Sequence, residues 1–105
     1  MEKIQEISNS IKAEQLMRVA DILKAISHPV RLSILEMLGE NDAMTVSDIQ
    51  EQTDIEQSLL SHHLIKMKDK GVLTCYRDGK NRYYQLADKH IIKIFACMES
   101  CSLIL

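Results

Sequence analysis

Between Ser10 and Ile26 the apolar residues Ile11, Leu16, Val19, Ile22, Leu23 and Ile26 return at steps of three and four, which predicts an amphipathic helix. Ser27-His28-Pro29 interrupts it. Pro29 suits the first position of a second helix, with Ser27 or His28 as its cap. Val30, Leu32, Ile34, Leu35 and Leu38 form the apolar side of that helix, which ends near Gly39-Glu40-Asn41-Asp42. Thr45 is placed to cap a short third helix, with Asp48 three residues on. Thr53-Asp54 ends it. A fourth helix is predicted from Glu56 to Lys70, with Leu59, Leu60, Leu64 and Met67 inward, and Gly71 stands where a helix end favours a left-handed residue. The pattern then changes. Val72–Arg77 and Arg82–Leu86 are rich in strand formers, and Asp78-Gly79-Lys80-Asn81 between them reads as a hairpin turn. Asp88 caps a last helix predicted to run to about Leu103, and the polar stretch 1–9 is expected to be a frayed N-terminus.

The chain is thus mainly α with a small β-hairpin, in the order helix-helix-helix-helix-hairpin-helix. Its 105 residues have room for one core, so 1–105 is expected to be a single domain. Three Gly and one Pro disfavour an all-β fold with many tight turns. No apolar run approaches the length of about 18 residues that a membrane helix needs. The N-terminus lacks the hydrophobic segment of a signal peptide, so a cytoplasmic protein is expected. Three cysteines without zinc-finger spacing argue against a disulfide framework. No phosphate-cradling glycine loop, H-E-x-x-H or G-x-S-x-G is present, so catalysis is not expected. A short helix, a tight break, a longer helix and then a hairpin is the order of a winged helix-turn-helix. Element order alone is equally compatible with a generic α+β core that never meets DNA.

Particular residues separate those readings. His28-Pro29-Val30-Arg31-Leu32-Ser33-Ile34-Leu35 resembles the opening of the second helix in the ArsR/SmtB family of small bacterial repressors. Gln57-Ser58-Leu59-Leu60-Ser61-His62-His63-Leu64 resembles that family's recognition helix. Lys70-Gly71-Val72-Leu73, Arg77-Asp78-Gly79-Lys80 and Tyr83-Tyr84-Gln85-Leu86 resemble its wing, and Leu86-Ala87-Asp88-Lys89-His90-Ile91-Ile92 the start of its last helix. The resemblance covers about Ala20 to Phe95. It implies a homodimer formed by the first and last helices, binding to double-stranded DNA at an operator of two-fold symmetry, and release of that DNA by an inducer.

The DNA chemistry is also legible residue by residue. A recognition helix reads base edges from its first turns, which here supply Gln57, Ser58, Ser61 and His62. Glutamine can pair bidentately with adenine, and serine serves most bases. Adjacent His62 and His63 point about 100° apart, so one faces out and the other in; the family pattern makes His62 the outward one. Lys66 on the same helix and Arg77, Lys80 and Arg82 at the hairpin tip are candidate contacts to phosphate or the minor groove. The formal charge of −2 conceals a division. Residues 57–84 hold six Lys and Arg against two Asp, a net +4, and the remainder is −6. A basic reading surface on an acidic body is the footprint of a DNA binder.

The sensing chemistry stays open between metal, thiol chemistry and neither. One metal site implied by the resemblance uses paired cysteines on or just before the third helix, where this chain has Thr45-Val46-Ser47-Asp48-Ile49 with hydroxyls in both sulfur positions. A second lies on the last helix. Asp88 and His90 match its first half, but Cys101 replaces a histidine and Ile104 cannot ligate. Asp88, His90, Cys97 and Cys101 are the candidate ligands for a divalent or soft metal ion. Cys97 and Cys101 are also the candidate redox or persulfide pair. In a regular helix His90, Ile94, Cys97, Cys101 and Ile104 would share one stripe. The plain alternative is that the thiols are small buried hydrophobes and Asp88 an ordinary cap. Cys75, in the first hairpin strand, reads as packing. The leading reading is a sequence-specific repressor released by a metal ion or by thiol oxidation or persulfidation at the last helix. The others are a winged-helix repressor with no such sensing, and a protein-interaction module on the same fold.

Overall fold

The computed structural model describes residues 12–104. Within them the chain forms α1 (Ala13–Ile26), α2 (Pro29–Glu40), β1 (Met44–Thr45), α3 (Val46–Thr53), α4 (Gln57–Asp69), β2 (Leu73–Asp78), β3 (Asn81–Leu86), a single 3-10 turn (Lys89–Ile92) and α5 (Lys93–Glu99). The expected frayed stretch 1–9 and the expected helix start at Ser10 lie outside the described residues. No helix among them is long and apolar enough to cross a membrane.

Caps set the helix boundaries. His28, not Ser27, caps α2: its Nδ1 accepts from the Val30 N–H at 3.1 Å, and Pro29 follows at the first helical position. Thr45 and Asp48 form a reciprocal capping box on α3. Asp54 ends α3 in the left-handed conformation, φ 57°. The expected start of α4 at Glu56 moves by one residue. Glu56 is the cap, and its carboxylate accepts from the N–H groups of Ser58 and Leu59.

The core is built from one stripe of each helix and the base of the hairpin. Ile34, Leu35 and Leu38 of α2, Ile49 of α3, and Leu60, Leu64 and Met67 of α4 are fully buried with Leu73 of β2. On α4 the inward set is Leu60, His63, Leu64 and Met67, spaced three and four apart. Leu59, expected inside, lies about 100° round the helix from Leu60 and is 49% exposed. Gly71 takes φ 81° at the end of α4, which an L-residue rarely adopts, and turns the chain into β2.

The sheet is antiparallel in the order β1-β3-β2. The hairpin register runs from Leu73 opposite Leu86 to Asp78 opposite Asn81, and Gly79 turns the tip with φ 64°. A two-residue β1 adds a third strand by pairing Met44 with Tyr84. Its brevity leaves no alternation to read in the sequence. The last helix departs most from expectation. Asp88 does cap it, accepting from the His90 N–H, but the first turn is 3-10 and α5 stops at Glu99 instead of about Leu103.

Candidate nucleic-acid interface

Burying Leu60, His63, Leu64 and Met67 turns the opposite side of α4 outward. Gln57, Ser58, Ser61 and His62 from that side line one open concavity, together with Glu56 and Ile65. Gln57, Ser58 and His62 are exposed and Ser61 half-buried. The structure therefore brings together all four base-reading candidates. Glu56 was missed as a member of this surface. Its signal in the sequence was an acidic residue two positions before a serine at a helix start. Its carboxylate accepts from the Ser58 hydroxyl at 2.7 and 2.6 Å as well as from the two backbone N–H groups. Those bonds, led by the one from the Ser58 side chain, hold the Glu56 carboxyl below the usual carboxylate range. Ser58 donates its only hydroxyl proton there, so toward a partner it acts as an acceptor.

His62 and His63 divide as expected. His62 is exposed; His63 is 5% exposed beneath α2. Arg31 Nε donates to His63 Nδ1 at 3.0 Å, and another guanidinium nitrogen donates to the Ala25 carbonyl at 2.9 Å. One arginine thus ties the end of α1 and the start of α2 to the middle of α4. Because Arg only donates, Nδ1 must be bare and the His63 proton sits on Nε2. The His28 ring stands 4.6 Å from that of His63. Burial first, then the positive character of His28, Arg31 and His62, holds His63 below its ordinary pKa of 6.5.

The second part of the surface is the hairpin tip. Arg77 and Arg82 face each other across the strands and line a concavity with Lys68 of α4. Directly opposed like charges oppose strand pairing, and an anion placed between them reverses that effect. Lys80 sits in the turn, and Lys66 is exposed on α4. On the hairpin's other face Tyr76 stacks on Tyr83 at 5.4 Å. Cys75 is half-buried against the core and pairs in register with Tyr84.

The candidate sensing residues are less gathered. Asp88 and His90 meet, with Oδ1 and Nδ1 at 2.7 Å, and bonds from the His90 backbone and ring hold the Asp88 carboxyl low. Cys97 is exposed on α5, and Cys101 lies half-buried beyond its end. The 3-10 turn before α5 and its end at Glu99 break the regular helix that would have placed His90, Cys97 and Cys101 on one stripe. Among the described residues no three His, Cys, Asp or Glu side chains converge to hold a metal ion. The zinc pattern of the last helix therefore does not fit the ligands that one protomer supplies.

Comparison with known proteins agrees with this geometry. The helix-turn-helix domain family matches residues 26–76. An uncharacterised HTH-type transcriptional regulator of Methanocaldococcus jannaschii is 36% identical over 84 residues, which is 77% of this chain and 94% of that protein. The HTH-type transcriptional repressor SmtB of Mycobacterium tuberculosis is 35% identical over 81 residues, 77% of this chain and 59% of that protein. Among solved structures, the homodimeric winged helix-turn-helix DNA-binding domain of a possible ArsR-family regulator from Mycobacterium bovis superposes with a TM-score of 0.72 at 28% identity, covering 88% of this chain and 84% of that one. The chain belongs to the ArsR/SmtB family of winged helix-turn-helix DNA-binding transcriptional repressors.

Proposed function

We propose that this repressor is a cytoplasmic single-domain protein, 1–105, that binds as a homodimer to an operator of two-fold symmetry and leaves it when an inducer acts at the last helix. The observation that carries this reading is the concavity on α4 that Gln57, Ser61 and His62 line together, on a helix whose Lys68 shares a second concavity with Arg77 and Arg82 of the hairpin. Lys66, Arg77, Lys80 and Arg82 supply contacts to phosphate, which set affinity and register. Gln57, Ser61 and His62 meet base edges, and Ser58 accepts from an exocyclic amine.

The dimer is supported by what α1 and α5 leave uncovered. Met17, Val19 and Leu23 of α1 and Met98 of α5 are exposed, and a groove of about 390 Å³ between α1, α2 and α5 is lined by Leu23, Ile26, Leu32, Ile94, Phe95 and Met98. An isologous pairing of this face turns two α4 helices outward together, and two symmetric half-sites follow. The inducer chemistry is thiol oxidation or persulfidation at Cys97 and Cys101, or a metal ion for which Asp88, His90, Cys97 and Cys101 of both protomers supply the ligands.

Binding titrations against a selected duplex and a random one, over a range of salt, test the roles. Arg82→Glu weakens binding to both and flattens the salt dependence, by about one unit of log–log slope for each phosphate the protein no longer neutralises. Gln57→Ala loses about 1–3 kcal/mol on the selected duplex alone. No binding to either duplex at low salt, or equal sequence-blind losses from both variants, contradicts the assignment. The same titration with zinc, a soft metal, a persulfide donor and an oxidant, repeated on Cys97→Ser/Cys101→Ser, decides the inducer. Unchanged affinity in all four conditions removes sensing from the reading.

A further inference from the structure

Ile65 is the one aliphatic side chain in the concavity that holds Gln57, Ser61 and His62. It follows Ser61 by four residues and Gln57 by eight, so the three succeed one another along one side of the helix, each about 40° round from the last. It is 47% exposed, and it is absent from the apolar residues packed on the core. A single exposed apolar residue is ordinary on any surface. Leu59 on the same helix shows this: it is 49% exposed but lies outside the concavity. What sets Ile65 apart is that it shares one concavity with the hydrogen-bonding side chains of Gln57, Ser61 and His62.

An isoleucine can neither donate nor accept a hydrogen bond. On the major-groove edge of the base pairs the one apolar feature is the 5-methyl group of thymine. We propose that Ile65 is a specificity-determining residue that reads a thymine 5-methyl group at a fixed position in each half-site. The inference rests on the DNA-binding reading above. Cytosine presents an amine on the same edge, and an aliphatic neighbour would take water from that amine without offering an acceptor. Ile65 is about 12 Å along the helix from Gln57 at 1.5 Å per residue.

Deoxyuridine tests this, because it differs from thymidine by that methyl alone. The full chain first selects its half-site from a random duplex pool. Each thymidine of the selected duplex is then replaced in turn by deoxyuridine. The wild type loses about fourfold in affinity per half-site at one position, the worth of one buried methyl. Ile65→Ala binds thymidine and deoxyuridine equally there, Leu59→Ala keeps the fourfold ratio, and both variants keep wild-type affinity for random duplex at low salt. Equal wild-type binding of the two bases at every position overturns the proposal. So does an Ile65→Ala variant that keeps the ratio, or one that loses random-duplex affinity to the same degree. Failure to select any half-site sinks the DNA-binding reading itself, a different outcome from a half-site indifferent to the methyl.

Discussion

Arg31 and His63 are 32 positions apart in sequence and share a hydrogen bond of 3.0 Å beneath the recognition helix. Neutral His63 accepts from Arg31; protonated His63 would turn a second N–H against it, beside His28 and His62. Because the folded-state pKa lies below the ordinary 6.5, the unfolded chain binds this proton more readily than the folded one. The contribution of His63 to stability is therefore complete above 6.5 and is lost as pH falls from there through the folded-state value. Urea midpoints measured from about pH 7.5 down to about pH 5 should fall, and His63→Gln, whose amide oxygen can still accept from Arg31, should flatten that part of the curve. An unchanged slope in His63→Gln contradicts this account. The sequence showed that one of the two adjacent histidines had to face inward. It did not show Arg31 as the partner, because local spacing says nothing about a residue on another helix.

Gly39 marks a close approach between two elements. A Cβ built there would stand 2.8 Å from Ile92 Cγ2, in the 3-10 turn that precedes α5. Helix propensity alone would make Gly39→Ala stabilising by about 1 kcal/mol. The neighbour is a stiff β-branched side chain, and overpacking of that kind costs about 1–3 kcal/mol. Gly39→Ala should therefore be destabilising by about 1 kcal/mol in the wild-type background. In an Ile92→Leu background, which lacks the β-branch, the same change should be neutral or stabilising. Thermal unfolding of the four proteins of that cycle checks it, and equal effects of Gly39→Ala in both backgrounds would refute it. This close approach also bears on the last helix. Asp88 and the run from His90 suggested one regular helix to about Leu103, and the α-helical part is Lys93–Glu99. Caps are short-range and readable, as Thr45 and Asp48 show. Where a helix tightens or stops also depends on what it lies against, and for this one that is α2.

For the whole molecule, α1 is an element whose apolar stripe a single copy covers only in part. Its apolar stripe was plain in the sequence, but Val19 and Leu23 remain 46% and 47% exposed. Their burial in a homodimer gives a direct test. Leu23→Lys should shift the protein toward monomer in analytical ultracentrifugation. It should also weaken operator binding by far more than random-duplex binding, because two linked reading heads lose their effective concentration for each other. A dimer that survives Leu23→Lys and Val19→Lys together contradicts the proposed face. The sequence by itself determined the helix order, the hairpin and the caps at Thr45 and Asp88. Each of these rests on periodicity or on interactions within a few residues, which a linear pattern records. Tertiary structure decided that Leu59 stays outside while His63 goes in, that Arg31 holds three helices together, and that the last helix tightens into a 3-10 turn where it meets α2. These depend on which faces of distant segments meet, and the burial and desolvation that follow exist only once the chain has folded.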